Sequence, residues 1–172
     1  NEKIDDELLA LVREKKPYWT PQLGLGDRSE VCEHDPFVDQ TYPEIVIEEI
    51  RKEQLPHFGP SCESRPANAE TRDEMLANNL TKMVAAGARL VLGTDAGIDA
   101  RYAFGWTVHH EMARWVQLGL TPSQAIVAAT QRSAELLGLK DMGTLAAGKS
   151  ADFIVLNSNP LENIRNTRQI AN

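Results

Sequence analysis

Residues 89–93, Arg-Leu-Val-Leu-Gly, run directly into Thr94, Asp95, Ala96 and Gly97, so a carboxylate closes a short apolar stretch among small side chains. An acid so placed can bind a divalent cation through oxygen and take a proton from the water that the cation polarises. Small neighbours leave space for the ligand. The same residue type also ends strands as a turn residue or helix N-cap, and the local sequence leaves both readings open. The remaining candidates are dispersed. The histidines are His34, His57, His109 and His110, and none makes an H-x-H pair. His109 and His110 are adjacent, so on a helix they diverge by about 100° and cannot face one metal. Cys32 and Cys62 lie outside any C-x-x-C pair, which argues against a zinc ribbon or a thioredoxin-like motif. Two free thiols and a single disulfide both fit them. Cys32, Glu33 and His34 form a local trio with no second pair to complete a metal site.

The elements that must position Asp95 alternate between helix and short apolar strand. Asp5 and Asp6 open a helix whose expected apolar face is Leu8, Leu9, Leu11 and Val12, with Lys15 and Lys16 at its end. Tyr18, Trp19 and Thr20 read as a strand between Pro17 and Pro21. Residues 24–42 and 56–69 have no period and read as irregular, with a helix expected over 43–55. Leu76, Leu80, Met83 and Val84 mark the next helix, which Gly87 closes. The run 89–93 then reads as a parallel strand buried on both faces. Val108, Met112, Trp115 and Val116 mark a further helix, ended by Gly119. Thr121, Pro122 and Gln124 open another with a capping box, and Gly138 ends it. From residue 143 the pattern becomes two short strands, 143–145 and 151–156, with no helix required.

Composition narrows the function classes. With 42% apolar and 25% charged residues, the chain reads as soluble and globular. No apolar run approaches the roughly 20 residues of a membrane-spanning helix, so a membrane partner is not expected. The net charge of -7 argues against a nucleic-acid partner, which would call for a basic face. The N-terminus carries no signal that fixes a compartment.

Taken in order, several spaced motifs resemble the C-terminal half of the metal-dependent amidohydrolases, in the imidazolonepropionase-like and Xaa-Pro dipeptidase-like branch. They are Lys82 to Ala88, Leu92 to Gly97, Gly105 with His109, His110 and Glu111, Gly119 to Pro122, Ala125 and Ile126, Ala128 to Thr130, Gly143 and Thr144, Gly148 to Asp152, and Val155 to Leu161. Residues 18–23 are similar to that branch's seventh barrel strand. The resemblance implies an α/β chain: the C-terminal part of a (β/α)8 TIM barrel over 1–142, then returning strands of a small flanking β-sandwich over 143–172. It implies that Asp95 ends the eighth barrel strand, binds metal and carries the proton from the attacking water to the leaving nitrogen of a C–N bond. Thr94, His109 and Glu111 would lie behind it, with His109 helping to orient the Asp95 loop, although an ordinary helix histidine fits as well. Glu111 would be a hydrogen-bond partner within the fold. Arg101 and Tyr102 follow that loop and are candidates for holding a substrate carboxylate, against a plain exposed-loop reading. Trp106 and Trp115 are expected to pack in the helix layer.

The departure from the family pattern is equally informative. Its H-x-H pair, its bridging lysine or glutamate and its two further histidines have no counterpart here, and one carboxylate cannot hold zinc tetrahedrally. The expectation is a chain that supplies one part of a hydrolase of amides, cyclic amides or dipeptides. A divalent metal, zinc by the resemblance, would be held in the intact protein and not stoichiometrically on this chain alone. The partners expected are a small-molecule substrate and either the rest of the barrel or a second copy. The alternative is a non-catalytic remnant acting as an assembly module. Ester or organophosphate hydrolysis remains open on the same chemistry.

Overall fold

A computed structural model describes residues 4–24, 36–49, 52, 69–97 and 104–171. Cys32, His34, His57, Cys62, Arg101 and Tyr102 lie outside the described residues, so the disulfide question and the proposed substrate contacts do too. Helix α1, Asp6–Lys15, begins at an Asp5 N-cap whose carboxylate accepts from the Leu8 N–H, and it ends in a left-handed Lys16. Only Leu9 and Val12 of its expected apolar face are buried; Leu8 and Leu11 are exposed. Strand β1 is Tyr18–Trp19. The irregular stretch expected over 24–42 instead contains helix α2, Pro36–Thr41, started by a proline suited to a first helical turn. Helix α3 spans 44–49, within the helix expected over 43–55.

Helix α4, Ala69–Ala85, leads into strand β2, Arg89–Leu90. The two strands pair in parallel, with Tyr18 opposite Arg89 and Trp19 opposite Leu90, and the Val91 N–H continues the ladder to the Trp19 carbonyl at 3.0 Å. Parallel neighbours need a crossover, which α4 supplies as in a βαβ unit. Leu76, Leu80, Leu90, Met112, Trp115, Leu120 and Ile164 form the main core, and Leu9, Val12, Met83 and Ala86 a smaller one beneath α1.

Helix α5, Trp106–Gln117, buries Trp106, Met112 and Trp115, while Val108 of its expected apolar face is exposed. Its buried Arg114 forks onto Asp73 of α4 and also donates to Gln117 at 2.8 Å. A planar fork matches a carboxylate where an ammonium cannot. Arg114→Lys is therefore expected to cost about 1–2 kcal/mol in urea unfolding, and an unchanged midpoint would show that the pair adds nothing.

The single helix expected from Thr121 to Gly138 is three joined pieces: α6, Pro122–Val127, a π-helical stretch, Ala128–Arg132, and α7, Ser133–Leu137. The capping box at Thr121 and Gln124 is present and Gly138 is left-handed, as the sequence indicates. The π turn has a packing consequence. The Ala128 carbonyl accepts from the Ser133 hydroxyl at 2.9 Å and from the Leu92 N–H at 3.4 Å, docking the helix on the chain leading to Asp95.

Beyond residue 143 the expected strands are replaced by an antiparallel bridge between Leu156 and Ile170, supported by Asn157 N–H to Gln169 and Ala171 N–H to Val155. A 3-10 helix, Ile164–Arg168, which the sequence pattern did not require, packs Ile164 and Thr167 inward. Leu145, Phe153, Ile154 and Val155 are exposed. An extended apolar segment forms a regular strand only when a neighbour satisfies its backbone, and among the described residues such a neighbour is confined to the Leu156–Ile170 bridge.

Candidate functional site at the strand ends

Both strands point their C-terminal ends the same way, and the chain past each turns sharply. Gln22 follows β1 with φ +48° and Asp95 follows β2 with φ +52°, left-handed values that non-glycine residues seldom adopt. The Gln22 amide Nε2 donates to Asp95 Oδ1 at 2.6 Å. Close approach of the two segments depends on Gly93, where a Cβ would come within 2.3 Å of the Thr20 Cγ2 methyl. Gly93→Ala is accordingly expected to cost about 1–3 kcal/mol. Thr20→Ser, which removes that methyl, should recover most of the loss in a double-mutant cycle; purely additive losses would contradict the clash.

Glu111 fixes the β1 side. It sits on the inner face of α5 at 2% exposure. Its Oε1 accepts from the Leu23 N–H at 2.6 Å and from the Trp115 indole at 2.5 Å, and its Oε2 accepts from the Gly24 N–H at 2.5 Å. Burial pushes its pKa above the ordinary carboxylate value, while those donors and neighbouring His110 act in the opposite sense. Gly24 has no room for a side chain, because a Cβ would lie 2.6 Å from Glu111 Oε2 and 2.9 Å from His110 Cδ2.

On the β2 side, Thr94 Oγ1 accepts from the Ala96 N–H at 3.3 Å, which tightens the Asp95 turn. The Phe104 ring lies on Gly97, where a Cβ would meet it at 2.4 Å. Tyr42 then bridges to the start of α5: its hydroxyl donates to the Phe104 carbonyl and accepts from the Trp106 N–H at 3.2 Å. Burial raises the Tyr42 pKa, opposed by the Trp106 N–H. The N-cap of α5 is Gly105, which has no side chain to cap with, and the Tyr42 hydroxyl takes that role from a distant position in the sequence.

The two adjacent histidines do diverge. His109 Nδ1 lies 2.9 Å from Thr167 Oγ1 and its ring meets Phe37 edge-on, which ties α5 to the C-terminal 3-10 helix. His110 is buried and stacks on Trp106 with centroids 4.6 Å apart. Asp95 itself is exposed, with one oxygen held by Gln22. Among the described residues, no group of three His, Cys, Asp or Glu side chains comes together. These residues therefore do not fit a metal site by themselves; Asp95 offers one donor. Gln22, Gly24 and Tyr42 carry functions of position that sequence reading missed. Gln22 lies inside the strand-like motif 18–23, but its left-handed backbone has no sequence signature.

The arrangement can be set beside known proteins. The sequence pattern of the amidohydrolase family matches residues 2–168. An imidazolonepropionase of Deinococcus deserti is 40% identical over 78 residues, which are 45% of this chain and 19% of that protein. A 5-methylthioadenosine/S-adenosylhomocysteine deaminase of Moorella thermoacetica is 36% identical over 143 residues, 78% of this chain and 31% of that one. The crystal structure of a Xaa-Pro dipeptidase with bound methionine in the active site superposes with a TM-score of 0.60 at 26% identity, covering 97% of this chain and 35% of the other. Phenylurea hydrolase B gives a TM-score of 0.61 at 22% identity, over 99% and 34%. The chain thus spans about a fifth to a third of the length of the two sequence relatives and about a third of these structures. Their likeness implies a TIM-barrel-type fold, and β1 and β2 pair in parallel. By the match over nearly its whole length, the chain belongs to the amidohydrolase family.

Proposed function

We propose that this chain is the Asp95-bearing part of a hydrolase that cleaves C–N bonds in small molecules: amides, cyclic amides or dipeptides. The observation that carries the reading is the exposed Asp95 carboxylate, set past the end of a parallel strand and hydrogen-bonded from the neighbouring strand's end. In β/α barrels that end of the strands carries the chemistry. The names of the relatives, imidazolonepropionase, deaminase and dipeptidase, support the bond type. In this reading Asp95 accepts a proton from the attacking water and passes it to the leaving nitrogen. Asp95 would be one donor to a divalent metal in the intact protein, and such a metal would make that water more acidic. Glu111 and Thr94 shape the frame behind Asp95, His109 ties α5 to the C-terminal 3-10 helix, and Arg101 and Tyr102 are candidates for the substrate's carboxylate. Residues 1–142 belong to the barrel and 143–172 to the flanking β-sandwich, an assignment supported by the exposed Phe153, Ile154 and Val155, which need a covering sheet. That cover, and the rest of the barrel, come from further sequence or from another copy.

Two measurements test this. Joined to the remaining strands of a barrel, the chain should release amine from small amide or dipeptide substrates in a metal-dependent manner. The chain alone, dialysed against zinc, should hold well under one equivalent. Stoichiometric zinc on the isolated chain would contradict the ligand argument, and absence of turnover from the joined protein across amides, cyclic amides and dipeptides would favour an assembly role.

A further inference from the structure

We propose that Gln22 is a positioning residue for Asp95: its side-chain amide, delivered from the end of the neighbouring strand, fixes the carboxylate in one orientation and leaves the second oxygen to the reaction. The inference rests on the hydrolase reading of Asp95. An ionised carboxylate only accepts hydrogen bonds, so the Gln22 nitrogen must be the atom that faces it, here 2.6 Å from Oδ1. No other hydrogen bond to the Asp95 carboxylate is seen among the described residues. An exposed aspartate with one rigid neighbour is oriented by that neighbour, because its own rotamers are otherwise open to solvent.

Three features converge on making Gln22 rigid. Its backbone is held left-handed at φ +48°, which a free glutamine would avoid. The next two N–H groups, Leu23 and Gly24, are both clamped on the buried Glu111 carboxylate. The strand before it is in register with β2, which Gly93 lets approach closely. Glu111, from the inside of α5, thus holds the peptide that aims Gln22, and Gln22 aims Asp95. Two residues separated by 73 positions in sequence are coupled only because β1 and β2 lie side by side. The assignment gives Gln22 no contact with the reacting bond; it acts through Asp95.

Gln22→Met keeps length and removes the donor. In the complete enzyme it should lower kcat by about 10- to 100-fold, the scale expected when a reacting group loses its alignment, with KM within about twofold. The double variant Gln22→Met/Asp95→Asn should be no more than about twofold slower than Asp95→Asn alone, since the residue acts through that carboxylate. A readout independent of turnover comes from NMR of the chain itself. The Gln22 side-chain amide protons should be shifted downfield in the wild type and return to free-amide positions in Asp95→Ala, whether or not Gln22→Met folds. Free-amide positions in the wild type, wild-type kcat in a folded Gln22→Met enzyme, or fully additive losses would overturn the assignment. Full activity in Asp95→Asn would instead overturn the hydrolase reading, while the NMR contact would still stand.

Discussion

Asp95→Asn, made in a protein that carries the complete barrel, is expected to lower kcat by roughly 10³-fold, within the range of a lost general acid–base group. The substitution isolates proton acceptance. Asparagine has the same size and tolerates a left-handed backbone, so φ +52° is kept without new strain. Its Oδ1 can still accept from the Gln22 amide, so the turn and the cross-strand contact survive. What is lost is the negative charge and the ability to take a proton. Thermal melting of the variant should match the wild type within the scatter of ordinary surface changes, about ±0.5 kcal/mol. Steady-state kinetics decide the matter. Turnover within twofold of wild type would remove the proton role from Asp95, and a large fall in melting temperature would show that the residue is structural.

Glu111→Ala should be among the most destabilising single changes in the chain, at about 3–5 kcal/mol, because it strands several buried donors at once. Leu23 N–H, Gly24 N–H and the Trp115 indole all end on this carboxylate, and the side chain is 2% exposed. Water cannot take its place without opening the packing around Trp115, which is fully buried. For a domain of this size that loss corresponds to a fall in Tm of roughly 10 °C. Glu111→Gln is the informative companion. It keeps the shape, but its amide group turns two hydrogens toward a site where every neighbouring group donates, so about 2 kcal/mol should still be lost. Urea unfolding of the three proteins checks the order wild type, Gln, Ala. A Gln variant within 0.5 kcal/mol of wild type would mean that the carboxylate is not the hub described.

Much of the framework around these residues was legible from local pattern. The spacing of Leu76, Leu80 and Met83 gives α4 and its buried side. Thr121, Pro122 and Gln124 give the start of α6 through a capping box that the structure contains. The apolar run 89–93 gives a parallel strand, but its regular part is only Arg89–Leu90, because β1 offers just Tyr18 and Trp19 as partners, and Asp95 lies five residues beyond it. These are short-range signals, set by helix period, cap chemistry and continuous hydrophobicity. They fail where the decision is not local. Leu8, Leu11 and Val108 have the right type for buried positions and are exposed, since among the described residues no neighbouring element covers that side. Residues 151–154 have strand composition but lack a partner ladder among the described residues. The π turn inside the 122–137 helix and the 3-10 helix at Ile164–Arg168 follow from docking contacts that periodicity does not encode.

By itself, the sequence determined that an acid follows a short apolar strand, because composition, period and spacing are properties of neighbouring residues, and its ordered motifs resemble those of amidohydrolases. Only the tertiary structure decided what holds that acid. Gln22 reaches Asp95 and Glu111 gathers the Leu23 and Gly24 N–H groups across 73, 88 and 87 positions of chain. A hydrogen bond depends on separation in space to a few tenths of an ångström, and parallel strand pairing brings together residues that nothing in their local sequence marks as neighbours.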